Sequence, residues 1–475
     1  MKASHSVDAV FDDPNLVGSA GLVPMLRLAE SAGLHDLLAE HLSVGSANPV
    51  AKSTSVVAGM LAGADSIDDL DVLRHGGMGR LFGGVRAPST LGTYLRSFSH
   101  GHVQQLDAVA ARLLAGLTGR VPGLLAGAGH ADGAEGIAFV DVDDTIRQVH
   151  GYAKQGAAFG YSGVRGLNAQ LAAVSTPTAA PVIAAARLRR GNSASHAGAG
   201  RLVTQAINTA RAAGVTGRIM ARADSAYFVH KFVSAAIRAK AWFSVTARMN
   251  KQVLAAIASI DEDAWTPIRY PHAIWEEGDE PGQGHWVSDA EVAEVPITVF
   301  TSRRKADHIT CRLVVRRVRR LNPAAVTKND QNSVQEELFA THRHHAFITN
   351  STLSTVEADA RHRDHAVIEQ VIAELKDGPL AHLPSGKYAA NAAWLAHAVI
   401  AFNLARAAGV AASTTHARAR WATLRTELIN IPGRVASSAR RLTVHLPSDW
   451  HWAPAWQALF QVATTATGPP TPATS

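Results

Sequence analysis

The sequence predicts a mixed α/β protein: a mixed sheet interrupted by a β-rich insertion, with a helical N-terminal region before it and a basic C-terminal region after it. Three observations carry this prediction. Apolar residues at helical spacing dominate residues 22–117. Residues 137–247 then alternate extended, β-type runs with Ala-rich helical ones, the pattern of a layered α/β domain. Beyond them, Trp265, Trp275 and Trp286 stand among Gly, Pro and acidic residues and are followed by three β-branched runs, before helical character returns at Ala358.

Each element follows from its local pattern. Residues 23–38 read as a helix that Gly33 interrupts, and residues 53–62 as a second. Residues 67–75 read as a third, capped by Asp65 or Ser66 and stopped at Gly76-Gly77. Pro88-Ser89-Thr90 starts a fourth. Short helices with small turns suit either a helix-turn-helix-like DNA-binding unit or a purely structural bundle. Residues 118–136, rich in Gly and Ala, read as a linker. Strands are expected at 137–143, within a Gly-rich meander at 151–165, at 167–175, at 218–224 and at 242–247, with helices at 196–213 and 225–240. Further strands are expected at 295–301, 311–318 and 346–349, and helices at 358–376 and 388–408. The last residues, 464–475, are rich in Pro, Thr and Ala and read as a disordered tail.

Composition narrows the function classes. A chain of 475 residues with 47% hydrophobic residues is long enough for several domains and can bury a large core. The formal charge is +7 and the sequence pI about 9.7, a balance that favours a polyanionic partner. Arg312, Arg316, Arg317, Arg319 and Arg320 cluster on one predicted strand, where they could track a phosphate backbone or form a solvated face. Cys311 is the single cysteine, which excludes an intrachain disulfide and a multi-Cys zinc site. The N-terminus carries Asp8, Asp12 and Asp13 in place of a basic-then-apolar leader, and no apolar run is long enough to span a bilayer. The expectation is a soluble cytoplasmic protein without a membrane partner.

The chemistry centres on Phe139-Val140-Asp141-Val142-Asp143-Asp144-Thr145. Strand alternation puts Asp141 and Asp143 on one face and Asp144 on the other. Acids on an apolar strand suit a hard divalent cation, which takes oxygen ligands, although alone the stretch also reads as an acidic turn. Asp224 ends a second strand in the same way. Residues 362, 365, 369, 372 and 376 share one helical face and hold His362, His365, Glu369, Ile372 and Lys376. Strand ends in open sheets gather functional groups, so Asp143, Asp224 and Glu369 are the candidate catalytic and metal-ligating acids.

These residues resemble a known family. The chain is similar, over about residues 20–450, to DDE transposases of the insertion-sequence 1380 family, within the insertion-sequence-4-like group. The family's first motif, an Asp two residues before a Thr or Ser, falls on Asp143-Asp144-Thr145, and the second on Arg222-Ala223-Asp224-Ser225. The third is a helical signature of Tyr, Arg, Glu and Lys, whose places hold His362, His365, Glu369 and Lys376 here. Glu and Lys match; Tyr and Arg do not. The run from Pro384 through Tyr388 to Trp394 also looks like this family.

The resemblance implies a ribonuclease-H-like catalytic domain and two-metal catalysis by two Mg²⁺ ions, with Mn²⁺ as a substitute, held by Asp143, Asp224 and Glu369. It implies DNA as partner, at element ends and target, and a homodimer to hold two ends. His362, His365, Lys376, Arg316 and Arg320 are then the expected DNA contacts. Trp275 or Trp286 is a candidate to stack on a flipped base if a hairpin intermediate forms. The implied domains are a helical DNA-binding domain at 1–125, the catalytic domain at 126–255 and 346–412, the β-rich insertion at 256–345, and a basic C-terminal region with its tail at 413–475. Three other readings remain: a non-catalytic DNA-binding relic of a transposase, a ribonuclease-H-like nuclease without strand transfer, and a His-metal protein using His342, His344, His345, His362 and His365.

Overall fold

The computed structural model describes residues 5–128, 136–151, 153–269, 274–277, 284–287, 290–319 and 342–465. After a two-residue strand, β1 (Leu16–Val17), come α1 (Leu22–Ser31), α2 (Leu34–His41), α3 (Pro49–Ala62), α4 (Met78–Leu81), α5 (Pro88–Arg96) and α6 (His100–Arg120). Gly33 separates α1 from α2, and its φ of +92° is a conformation that a residue without a Cβ adopts freely. Asp68–Arg74, expected as an α-helix, is a 3₁₀ run. There Asp69 accepts from the Ser66 N–H at 3.1 Å and the Ser66 hydroxyl at 2.7 Å, a local bond that competes with the helix ladder.

The central part runs β2 (Ile137–Gln148), β3 (Ala158–Phe159), β4 (Arg165–Ser175), β5 (Val182–Arg190), α7 (Ala199–Ala212), β6 (Arg218–Ala223), α8 (His230–Arg238), β7 (Trp242–Thr246), α9 (Lys251–Ala258), β8 (Thr266–Ile268), β9 (Ile274–Glu277), β10 (Gly284–Val287), β11 (Ala290–Val299), β12 (Ile309–Arg319) and β13 (His342–Thr349). Among the described residues, ten of these strands share one mixed sheet in the order β3-β4-β2-β6-β7-β13-β12-β11-β8, with β5 also on β4, while β9 and β10 pair with each other. β4 runs antiparallel to β2, whereas β6 is parallel to β2 and β7 parallel to β6. β13 joins β7 through Phe347 opposite Thr246, so the inserted strands prolong the same sheet.

Several strands differ from expectation, and two of them, β5 and β2, bear on the site. β5 is not foreshadowed, because Ala184-Ala185-Ala186 and three arginines lack β-favouring side chains; pairing with β4 and burial of Val182, Ile183 and Leu188 hold it in place. β2 runs five residues past Asp143, because β4 pairs with it as far as Gln148.

The chain ends with α10 (Thr355–Arg363), α11 (Val367–Lys376), α12 (Tyr388–Ala412), α13 (Trp421–Leu424), β14 (Gly433–Ser438), β15 (Arg441–His445) and α14 (Ala453–Thr464). The single helix expected over 358–376 is thus two helices joined by a 3₁₀ turn at Asp364–Ala366. Arg222 from β6 donates to the carbonyls of Arg361 and Asp364, the latter at 3.2 Å, taking acceptors from the helical ladder there. Among the described residues α12 is the one helix long and apolar enough to cross a membrane, but it is buried between the N-terminal helices, β5 and α14. β14 returns to pair with β1, closing the C-terminal region onto the N-terminal one.

Candidate active site

The site begins with where two parallel strands stop pairing. Val142 of β2 stands opposite Ala223 of β6, and this is the last pair of that ladder. The next residue on each strand is an acid, Asp143 and Asp224. Beyond this point β2 continues with β4 alone, and on the β6 side Asp143 has no strand partner. Asp224 leaves its strand to cap the following 3₁₀ turn, where its Oδ1 accepts from the Ala226 N–H at 3.0 Å. α11 packs Ile368, Val371, Ile372 and Leu375 onto the sheet beside β2 and β4, leaving Glu369, in its first turn, exposed.

Electrostatics links these acids. Burial pushes the Asp143 carboxyl up to about 7, and the charges of Asp224, Asp144 and Glu369 push the same way, while the Asp144 N–H opposes them. Partial burial also raises Asp224, against the Ala226 N–H and the nearby His365. Mutual repulsion of this kind is what a bound cation would relieve. Among the described residues, no three His, Cys, Asp or Glu side chains are gathered closely enough to hold an ion as they stand. The set nonetheless fits Mg²⁺ in kind, since the donors are carboxylate oxygens and Mg²⁺ keeps several waters while taking only a few protein ligands.

The other two acids of the opening stretch have partners that account for them. Asp141 is fully buried and receives both arms of Arg222, Nε to Oδ1 at 2.6 Å and Nη2 to Oδ2 at 2.8 Å. Asp144 Oδ2 accepts from Arg189 Nη2 at 3.0 Å and from Asn168, and its Oδ1 accepts from the Tyr227 hydroxyl at 2.9 Å. Asp143 has only the Asp144 N–H, at 2.7 Å. Of the three neighbours, Asp143 is therefore the one whose charge no cation among the described residues balances. Arg222, Arg189, Asn168 and Tyr227 are residues that sequence reasoning missed; the Arg of Arg222-Ala223-Asp224 was the one signal the sequence offered.

The remaining predicted residues are distributed unevenly. His365 lies in the 3₁₀ turn within reach of the charges of Asp224 and Glu369; burial lowers its pKa, and its Nε2 has no hydrogen-bond partner. His362 is held inside the fold and is not presented as the expected DNA contact. Its ring stacks on Phe347 at 4.1 Å between centroids, and its nitrogens are hydrogen-bonded to Ser244 at 2.8 Å and Thr246 at 3.1 Å. Burial holds its pKa well below the usual histidine range. Lys376 closes the last turn of α11. Arg316 is not on a free basic face, because Nη1 bonds to Asp359 of α10 at 2.9 Å. Arg312 and Arg317 likewise pair with Glu294 and Glu291 across the β11–β12 ladder. The basic run on β12 thus binds the inserted strands to α10 and to one another. Arg320 and the side chains of Arg319, Trp275 and Trp286 lie outside the described residues.

A family described as transposase DDE domain group 1 has a model that matches residues 1–466 of this chain. No curated protein matches it.

Proposed function

We propose that this chain, which belongs to the transposase DDE domain group 1 family and is therefore a transposase-type, nucleic-acid-cleaving enzyme, is an insertion-sequence 1380 type DNA transposase working through Asp143, Asp224 and Glu369. The observation that carries this reading is the end of the β2–β6 ladder, where the next residue of each segment is an acid, with the charges of Asp224 and Glu369 both acting on Asp143. The antiparallel β5-β4-β2 run followed by parallel β6 and β7 supports a ribonuclease-H-like core.

In the proposed reaction water attacks a phosphodiester at the element's end and frees a 3′-OH. That hydroxyl then attacks a phosphodiester of the target, so one bond forms as another breaks. Mg²⁺ held by Asp143, Asp224 and Glu369, in two-ion form, with Mn²⁺ as a substitute, would supply activation of the nucleophile and neutralise charge on the leaving oxygen. The chain's own residues fix the geometry. The Asp141–Arg222 pair ties β2 and β6 to the turn that precedes Glu369, and Asp144 is locked by Arg189 and Tyr227 beneath Asp143. His365 borders the acids, and Lys376 and Arg320 are proposed phosphate contacts. A homodimer would hold two element ends together, in the cytoplasm where DNA is accessible.

The test uses purified protein, Mg²⁺ and a duplex carrying the inverted repeat that flanks the gene, with a supercoiled plasmid as target. A transposase cleaves at the repeat's end and joins the freed 3′-OH to the plasmid. Cleavage without joining identifies a nuclease, and binding without cleavage a relic.

A further inference from the structure

A groove of about 520 Å³ runs along α11, and Glu369, one of the three candidate acids, is part of its wall. Gln370 and Asp377 continue that wall, and Arg420, Trp421 and Arg425 face them from the segment after α12. We infer that this groove seats the phosphodiester backbone of the DNA strand entering the active site, with Arg420 and Arg425 as its phosphate-binding residues; the inference rests on the transposase function proposed for this site.

Four observations support it. First, Arg420 and Arg425 make no ion pair and no side-chain hydrogen bond among the described residues, whereas the arginines buried around the site, Arg189, Arg222, Arg316 and Arg406, are all paired with carboxylates. Second, the buried carboxylate in the groove wall is already engaged. Glu374 accepts from Arg406 Nη2 at 2.7 Å and from the Trp421 N–H at 2.6 Å, so it does not neutralise the two free guanidinium groups. Asp377, at the end of α11, is paired with neither arginine. Third, the indole Nε1 of Trp421, buried in the wall, has no hydrogen-bond partner, which leaves a donor unused beside the groove. Fourth, the stem of Arg425 is braced: a Cβ at Gly63 would stand 3.1 Å from its Cδ, and Gly63 holds a φ of +117° that disfavours any larger residue.

The arrangement also answers a chemical need. His362 offers no donor to a phosphate, since its ring stacks on Phe347 and both nitrogens are bonded to Ser244 and Thr246. A strand whose phosphates pass carboxylates gains from cationic donors beside them, and a guanidinium keeps its charge at any working pH and grips phosphate with two parallel N–H bonds. Arg420 and Arg425 are the unpaired guanidinium groups that share a groove with Glu369.

The experiment measures binding of the flanking-repeat duplex across a salt titration, using full-length wild type, Arg420→Ala, the double variant with Arg425→Ala, and Arg420→Lys. Arg420 is exposed and unpartnered, so Arg420→Ala leaves thermal unfolding unchanged. The expected result is a loss of affinity of about tenfold at low salt for the double variant. The slope of log K against log salt flattens by roughly 0.9 for each phosphate that is no longer neutralised, and Arg420→Lys keeps the slope. In cleavage assays KM for DNA rises while kcat falls little. A folded double variant with wild-type affinity and slope would overturn the inference while leaving the transposase function intact. A wild-type protein that binds no repeat-containing duplex would overturn both.

Discussion

Asp141, Asp143 and Asp144 lie within four positions of one strand, yet they differ in what stands across from them. Arg222 clamps Asp141 in a fully buried pair, Arg189 and Tyr227 hold Asp144, and Asp143 faces other acids. Breaking a buried pair from one side strands a charge, at a cost of about 3–5 kcal/mol. Asp141→Ala is therefore expected to destabilise the fold by that amount in urea unfolding. Asp143→Asn removes a buried, repelled carboxylate, so the variant should be at least as stable as wild type while cleavage is abolished. If Asp141→Ala unfolded like wild type, the structural role given to Asp141 would be wrong. Strand alternation made the shared face of Asp141 and Asp143 legible in the sequence. Which of the two was free was not, because the partner that decides it, Arg222, lies on another strand.

The third acid owes its position to a break in an element. A pattern of apolar residues at helical spacing continues through residues 358–376, so the sequence reads as one helix. The break at Asp364–Ala366 comes from Arg222, which draws the carbonyls of Arg361 and Asp364 toward β6. Freed of those bonds, the turn before Glu369 would shift, and a misplacement of about 1 Å can cost about a hundredfold in rate. Arg222→Gln should accordingly reduce cleavage by roughly that factor with DNA affinity retained, as read by parallel cleavage and gel-shift assays. The strand carrying Arg316 teaches the converse. Its charge was visible in the sequence, but its counter-charges, Asp359, Glu291 and Glu294, come from elements that only the fold brings alongside. Arg316→Ala should lower stability by about 1–3 kcal/mol, since Arg363 at 2.9 Å still partners Asp359, and should leave the salt slope of DNA binding as it is.

At the scale of the whole molecule, α12 joins the helical N-terminal part to the sheet. Its His397 is fully buried, with Nε2 at 3.1 Å from the Ser53 hydroxyl and Nδ1 at 2.8 Å from the Ala393 carbonyl oxygen, and Ser53 in turn meets the Tyr94 hydroxyl at 2.6 Å. Burial lowers the His397 pKa from 6.5 to about 4. The unfolded chain therefore binds the extra proton between those values, so this contribution to stability is complete above pH about 6.5 and declines as pH falls toward 4. The decline should reach up to about 3 kcal/mol in unfolding measurements across that window, and His397→Gln should remove it. The sequence showed a helical N-terminus, alternating strands and helices, and an insertion. It did not show that one buried helix near the C-terminus would core the N-terminal part, or that the insertion would extend the main sheet, because both depend on contacts between distant residues.

The central claim is that Asp143, Asp224 and Glu369 form one metal-dependent cleavage centre. It is tested most directly by Mg²⁺-dependent cleavage of a flanking-repeat duplex by wild type, Asp143→Asn, Asp224→Asn and Glu369→Gln at equal protein and DNA. The account predicts that wild type cleaves, and that each variant loses cleavage by at least about a thousandfold while binding the duplex as tightly as wild type. A variant at any of the three positions that cleaves at the wild-type rate would contradict it.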